Sequence, residues 1–159
     1  MKNVKFYLLI VMFVVFSCES EQKNILVFSY SLQNDSIQKL KLNTNKKGIL
    51  KIFRYQYSQD SIKSIDLKYN LDRDFLITNM DTFLVQKNTY KSKSLEFKMY
   101  QTKEVTSHNR TLVFNESYGL LASLAVGSDF IFLKDSLANK DRNVIFKEIF
   151  LNLNKVNIE

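Results

Sequence analysis

Proline and tryptophan are absent from all 159 residues, and cysteine, histidine and glycine are scarce, at one, one and three residues. Each shortage removes a class of structure or chemistry. A single cysteine, Cys18, excludes an intramolecular disulfide and any site built from several thiolates. A single histidine, His108, excludes a histidine-rich metal centre; it stands in the polar run Thr106-Ser107-His108-Asn109-Arg110 and reads as a solvated turn residue rather than a general base. Glycines at 48, 119 and 127 form neither a phosphate-cradling loop nor a Gly-x-Ser-x-Gly nucleophile elbow. With no disulfide to help it, the fold must stand on its hydrophobic core.

Arginine is also rare. The net charge is +7, but the only arginines are Arg54, Arg73, Arg110 and Arg142; the other 19 of the 23 basic residues are lysines, in runs no longer than two. Nucleic-acid binding leaves a basic stripe with clustered arginine, and none is visible here. The lysines and the 15 asparagines point to an AT-rich coding sequence before they point to binding chemistry.

What the chain does have is a distinctive start. Lys2 and Lys5 precede an eleven-residue apolar run, Phe6 to Phe16, which ends at Ser17-Cys18. A bilayer-spanning helix needs about 20 apolar residues, so this run reads as the core of a cleaved signal. Val15-Phe16-Ser17-Cys18 resembles the lipobox of bacterial lipoproteins: an apolar residue three before the cysteine and a small one just before it. That resemblance implies a diacylglyceryl thioether on Cys18, cleavage after Ser17 and acylation of the freed amine. The mature chain would have 142 residues and a net charge of +5, since the signal carries two lysines and no acid. Glu19-Ser20-Glu21-Gln22-Lys23 follows as a polar tether, and its acidic residues resemble the export signal of Bacteroidota surface lipoproteins. The expected organisation is a signal at 1–17, a lipidated tether at 18–24 and one domain at 25–159. The expected location is the outer membrane, lipid-anchored on its periplasmic face or at the cell surface.

From Asn24 onward the hydropathy alternates with period two between clusters of Asn, Asp, Ser and Lys, the mark of successive strands. Strands are predicted at 25–30, 37–42, 49–57, 62–69, 75–78, 83–85, 94–103, 111–114, 120–126 and 130–133. In 94–103, Leu95, Phe97 and Met99 are expected to face a core while Glu96, Lys98 and Tyr100 face water. Only the tail changes period: Ile145, Phe146, Ile149, Phe150 and Leu153 recur at three and four residues, predicting a helix over 142–152, with a final strand as the competing reading. The fold class is therefore mainly β: one antiparallel, strongly curved sheet, or a barrel or sandwich, of nine to ten strands, with one C-terminal helix covering an open end or a face. Phe114-Asn115-Glu116-Ser117-Tyr118-Gly119-Leu120-Leu121 resembles a Tyr-Gly turn between late strands of small Bacteroidota outer-membrane lipoproteins, and that likeness implies no activity.

Candidate chemistry is sparse. Asp72-Arg73-Asp74 with Asn79 and Asp81 is the densest oxygen cluster, but it lacks the glycine of a calcium loop and reads as two turns around a short strand. Asp60, Asp66, Glu96 and Glu116 lie on separate segments; a glycosidase pair would require two of them to converge. Tyr55, Tyr57, Tyr69, Tyr90, Tyr100 and Tyr118 could form a recognition platform, and half-buried strand packing explains them more simply. No cofactor and no metal ion is implied. The expectation is a non-enzymatic binding or structural module held to its membrane through lipid on Cys18, with an envelope protein or glycan as the further partner and no nucleic acid. Alternatives are a lipid- or lipoprotein-handling protein with an apolar cavity, and a small inhibitor or immunity lipoprotein.

Overall fold

The structure, a computed structural model, describes residues 24–91, 96–102, 109–137, 139, 142–147 and 149, excluding the side chains of 88–91. Ten strands run in chain order: β1 (Ile25–Ser31), β2 (Ile37–Lys47), β3 (Leu50–Tyr57), β4 (Ser64–Asn70), β5 (Phe75–Ile77), β6 (Thr82–Lys91), β7 (Glu96–Thr102), β8 (Arg110–Asn115), β9 (Gly119–Ala125) and β10 (Phe130–Lys134). Each pairs antiparallel with the next. β1 also pairs with β10, Val27 opposite Lys134 through Ser31 opposite Phe130, so the meander closes into a barrel without free edges.

Because neighbouring residues on a strand point to opposite faces, closure sends alternate side chains inward. Val27, Leu40, Leu42, Phe53, Tyr55, Leu67, Tyr69, Leu76, Phe83, Tyr100, Leu112, Phe114, Leu120 and Phe132 form this interior core. A second core lies outside the wall. Outward residues of β7 to β10, among them Phe97, Met99, Val113, Leu124, Ile131 and Leu133, pack with Ile145 and Ile149 of a short helix over 142–147 and 149. The helix thus covers one face of the barrel, and the C-terminal strand reading is set aside; positions 148 and 150–152 of the predicted helix lie outside the described residues. This cover explains why β8, β9 and β10 read as nearly continuous apolar runs while uncovered β2 buries only the alternating Leu40 and Leu42.

The cover also corrects the expectation for β7. Both faces of that strand carry buried residues, Phe97 and Met99 under the helix and Tyr100 inside the barrel, while Glu96 is exposed as expected. β2 and β6 run further than predicted, through Lys47 and Lys91. Polar Asn43-Thr44-Asn45-Lys46 reads as a break, yet a barrel's wall tolerates polar residues on its wet side. Conversely, Ile62 belongs to the β3–β4 loop, not to a strand, and is 93% exposed.

A chain with three glycines and no proline makes its turns from side chains instead. Asn70 Oδ1 accepts the Asp72 and Arg73 N–H groups, Asn115 Oδ1 accepts those of Ser117 and Tyr118, and Asp60 Oδ1 accepts that of Ile62. Asp35 and Asp74 carry the left-handed backbone themselves, each at φ 50°.

Candidate functional site

The two ends of the barrel differ. The loops at 48–49, 71–74 and 116–118 lie at the end where β1 begins; those at 32–36, 58–63, 78–81 and 126–129 lie at the other. Aromatic rings plug the first end. Phe114 sits among Phe53, Tyr69 and Tyr100, with ring centroids 5.3, 5.1 and 5.9 Å away. Tyr55, rooted on β3, reaches across the interior to β9, four strands away around the ring, where the Leu120 N–H donates to its hydroxyl at 2.7 Å. Gly119 makes that reach possible. Its φ is +95°, and any Cβ there would collide with the Tyr55 hydroxyl and meet the Phe53 ring at 3.2 Å.

Beside this plug, the Asp74 carboxylate gathers three donors. Tyr69 and Tyr100 hydroxyls donate to Oδ1 at 3.0 and 2.7 Å, and Lys98 Nζ donates to Oδ2 at 2.6 Å. Burial works to raise the Asp74 pKa, but the bonds from Lys98, Tyr100 and Tyr69 outweigh it and hold the carboxyl below its usual range. The same contacts act in the opposite direction on the phenols: burial, then the Asp74 carboxylate, pushes Tyr69 up to about 12 and Tyr100 higher still. Burial raises Tyr55 despite its bond from Leu120, and takes Tyr118 up to about 12. The Tyr118 hydroxyl fills a gap where β10 leaves β9, accepting the Lys134 N–H at 3.0 Å, while Lys134 Nζ stands 4.5 Å from the ring centroid.

These phenols give the stability a defined alkaline limit. Their folded pKa values lie above the unfolded value of about 10. The stabilisation is therefore complete below pH 10 and is lost as pH rises toward the folded values. Tyr55, Tyr69, Tyr100 and Tyr118 are expected to give phenolate absorbance only as circular dichroism reports unfolding above about pH 10. Complete phenolate formation with the barrel intact at pH 11 would contradict these environments.

Among the described residues the opposite end is open. A cavity of about 270 Å³ enters the barrel there, walled by Leu67, Leu112, Leu120, Phe130 and Phe132, with the Ser29 and Ser123 side chains on its walls and Tyr57, Thr78 and Arg110 also lining it. Register places Arg110 on the inward face, two residues before Leu112, and among the described residues it is the one charged residue lining the cavity. The rim loops carry Ile62, Met80 and Val126, exposed by 93%, 93% and 91%.

The sequence candidates disperse. Asp72 and Asp74 flank β5 at the plugged end, Asn79 and Asp81 at the open end, so the suspected calcium cluster does not assemble; among the described residues no three metal-ligating side chains converge. Asp66 pairs with Arg54 at 2.8 Å and Asp60 with Lys63 at 3.3 Å, while Glu116 occupies the β8–β9 turn and Glu96 opens β7. Tyr55, Tyr69 and Tyr100 are interior, Tyr118 packs in the outer core and Tyr57 lines the cavity, so they make no surface platform; Tyr90 lies on β6, with its side chain outside the described set. His108 and Cys18 also lie outside the described residues. Sequence reasoning missed Arg110, Ser29 and Ser123. Small polar residues at inward positions of apolar strands were the available signal. Comparison with protein-family models, curated proteins and solved structures finds no match.

Proposed function

We propose that this protein is a lipid-anchored envelope module that binds a small, largely apolar ligand in the open end of its barrel and performs no chemistry on it. The cavity carries this reading. Its floor is fixed by the Tyr55–Leu120 tie and its walls are apolar, and about 270 Å³ lies just under the roughly 300 Å³ at which drug-sized ligand pockets begin. It favours the apolar-cavity alternative over a purely structural module. The exposed Ile62, Met80 and Val126 at the rim offer apolar contacts to such a ligand as it enters.

Anchorage follows from Cys18 and its lipobox resemblance. Asn24 leads into β1 at the plugged end, so a tether of residues 19–24, at most about 20 Å long when extended, holds that end toward the membrane and turns the open end away. The membrane is the outer membrane, and the ligand or its donor comes from the compartment the open end faces.

Filling the cavity tests the reading. Ser29→Phe places a ring opposite Phe132, within free space. The unaltered barrel is expected to enhance the fluorescence of an anilinonaphthalene probe, and Ser29→Phe to abolish the enhancement while the circular dichroism spectrum is unchanged. Equal probe binding by a folded Ser29→Phe variant would place the apolar site elsewhere.

A further inference from the structure

We infer that the ligand of the open cavity is an anionic amphiphile, a single apolar chain ending in a carboxylate or phosphate whose head is held by Arg110. The inference rests on the cavity being the binding site, and names the chemistry of what it takes. Three observations carry it. Among the described residues Arg110 is the one charged residue lining a mainly apolar cavity, and it stands at the end of β8 where the barrel opens. Among the described residues it forms no ion pair, whereas Arg54 and Arg142 each have an aspartate partner. Polar side chains accompany it on the lining, Tyr57 and Thr78 near the opening and Ser29 and Ser123 deeper.

Charge and volume then select the ligand. A cation would meet the guanidinium without compensation from any described lining residue, and a fully apolar molecule would gain nothing from it, since the exposed Arg110 stays solvated at the mouth. An anionic head accepts paired N–H donors from the guanidinium while the chain is buried against Leu67, Leu112, Leu120 and Phe132. A space of about 270 Å³ holds roughly nine groups of water or methylene size, at ~30 Å³ each. The bound chain is therefore about eight to ten carbons long, or is the terminal part of a longer chain whose remainder lies outside. The plug of Phe53, Tyr55 and Phe114 prevents it from going deeper.

The test uses residues 24–159, which contain every described strand pairing and both cores, with decanoate, decyl phosphate and decanol measured by calorimetry at pH 8. Decanoate or decyl phosphate is expected to bind at least tenfold more tightly than decanol, and Arg110→Gln to remove that advantage with thermal stability unchanged. Preference between the two anions identifies the head. In a series from six to sixteen carbons, affinity should stop rising near ten. Equal binding of decanol and the anions, or an undiminished anion preference in Arg110→Gln, would overturn the head assignment while leaving the cavity as the site. Failure of all three to bind, together with loss of probe fluorescence, would remove both readings.

Discussion

Replacing Gly119 by alanine is expected to lower the unfolding free energy by about 3 kcal/mol, the combined cost of a left-handed backbone at a residue with a Cβ and of breaking a buried hydrogen bond. The methyl group would occupy the position of the Tyr55 hydroxyl, and the Phe53 ring at 3.2 Å leaves no space on its other side. Displacing Tyr55 also orphans the Leu120 N–H inside the barrel. Urea denaturation of Gly119→Ala and Gly119→Val measures the effect. Tyr55→Phe alone should cost about 1–3 kcal/mol through the unpaired N–H. Because it also removes the atom in the way, the Tyr55→Phe/Gly119→Ala double variant should be less destabilised than the two single effects added, by about 1 kcal/mol. Strict additivity, or a Gly119→Ala midpoint equal to that of the unaltered protein, would contradict the cross-barrel tie.

The second large effect concerns the other end of the chain. Cys18→Ser is expected to abolish lipidation and signal cleavage after Ser17 together, since both depend on the thiol that takes the diacylglyceryl group as a thioether. Two or more acyl chains on Cys18 would contribute about 0.8 kcal/mol per buried methylene, enough for stable anchoring. Labelling cells with an alkynyl fatty acid should therefore mark the unaltered protein and leave Cys18→Ser unmarked. In fractionation, the unaltered protein should resist extraction by salt and alkali. Label incorporation by Cys18→Ser would place the lipid on another residue or show that the signal is of another kind.

The strands were legible in the chain because a half-buried strand writes its period directly: Leu95 to Met99 alternate residue by residue, and the tail from Arg142 shifts to helical spacing. Closure was not legible. The pairing of β1 with β10 joins residues about a hundred positions apart, and alternation specifies which face is apolar, not which strand lies beside it. Double burial of β7 escaped for the same reason, since a face covered by a distant helix and a face turned to water differ only in what packs against them. Gly119 was visible as a turn residue, but its tight approach to Tyr55 is a three-dimensional fact. The site was the least visible part. Ser29, Arg110 and Ser123 come from three strands, carry no motif, and acquire meaning only when register turns them into the same lumen.

Native mass spectrometry of the protein extracted from its own membrane examines anchorage and binding together. The predicted spectrum shows a chain beginning at Cys18, its mass raised by a diacylglyceryl group and an N-acyl chain, with a second peak displaced by a small non-covalent amphiphile that is missing from Ser29→Phe. A chain beginning elsewhere without lipid, or an adduct that persists unchanged in Ser29→Phe, would contradict the account of a lipid-anchored barrel with a ligand in its open end.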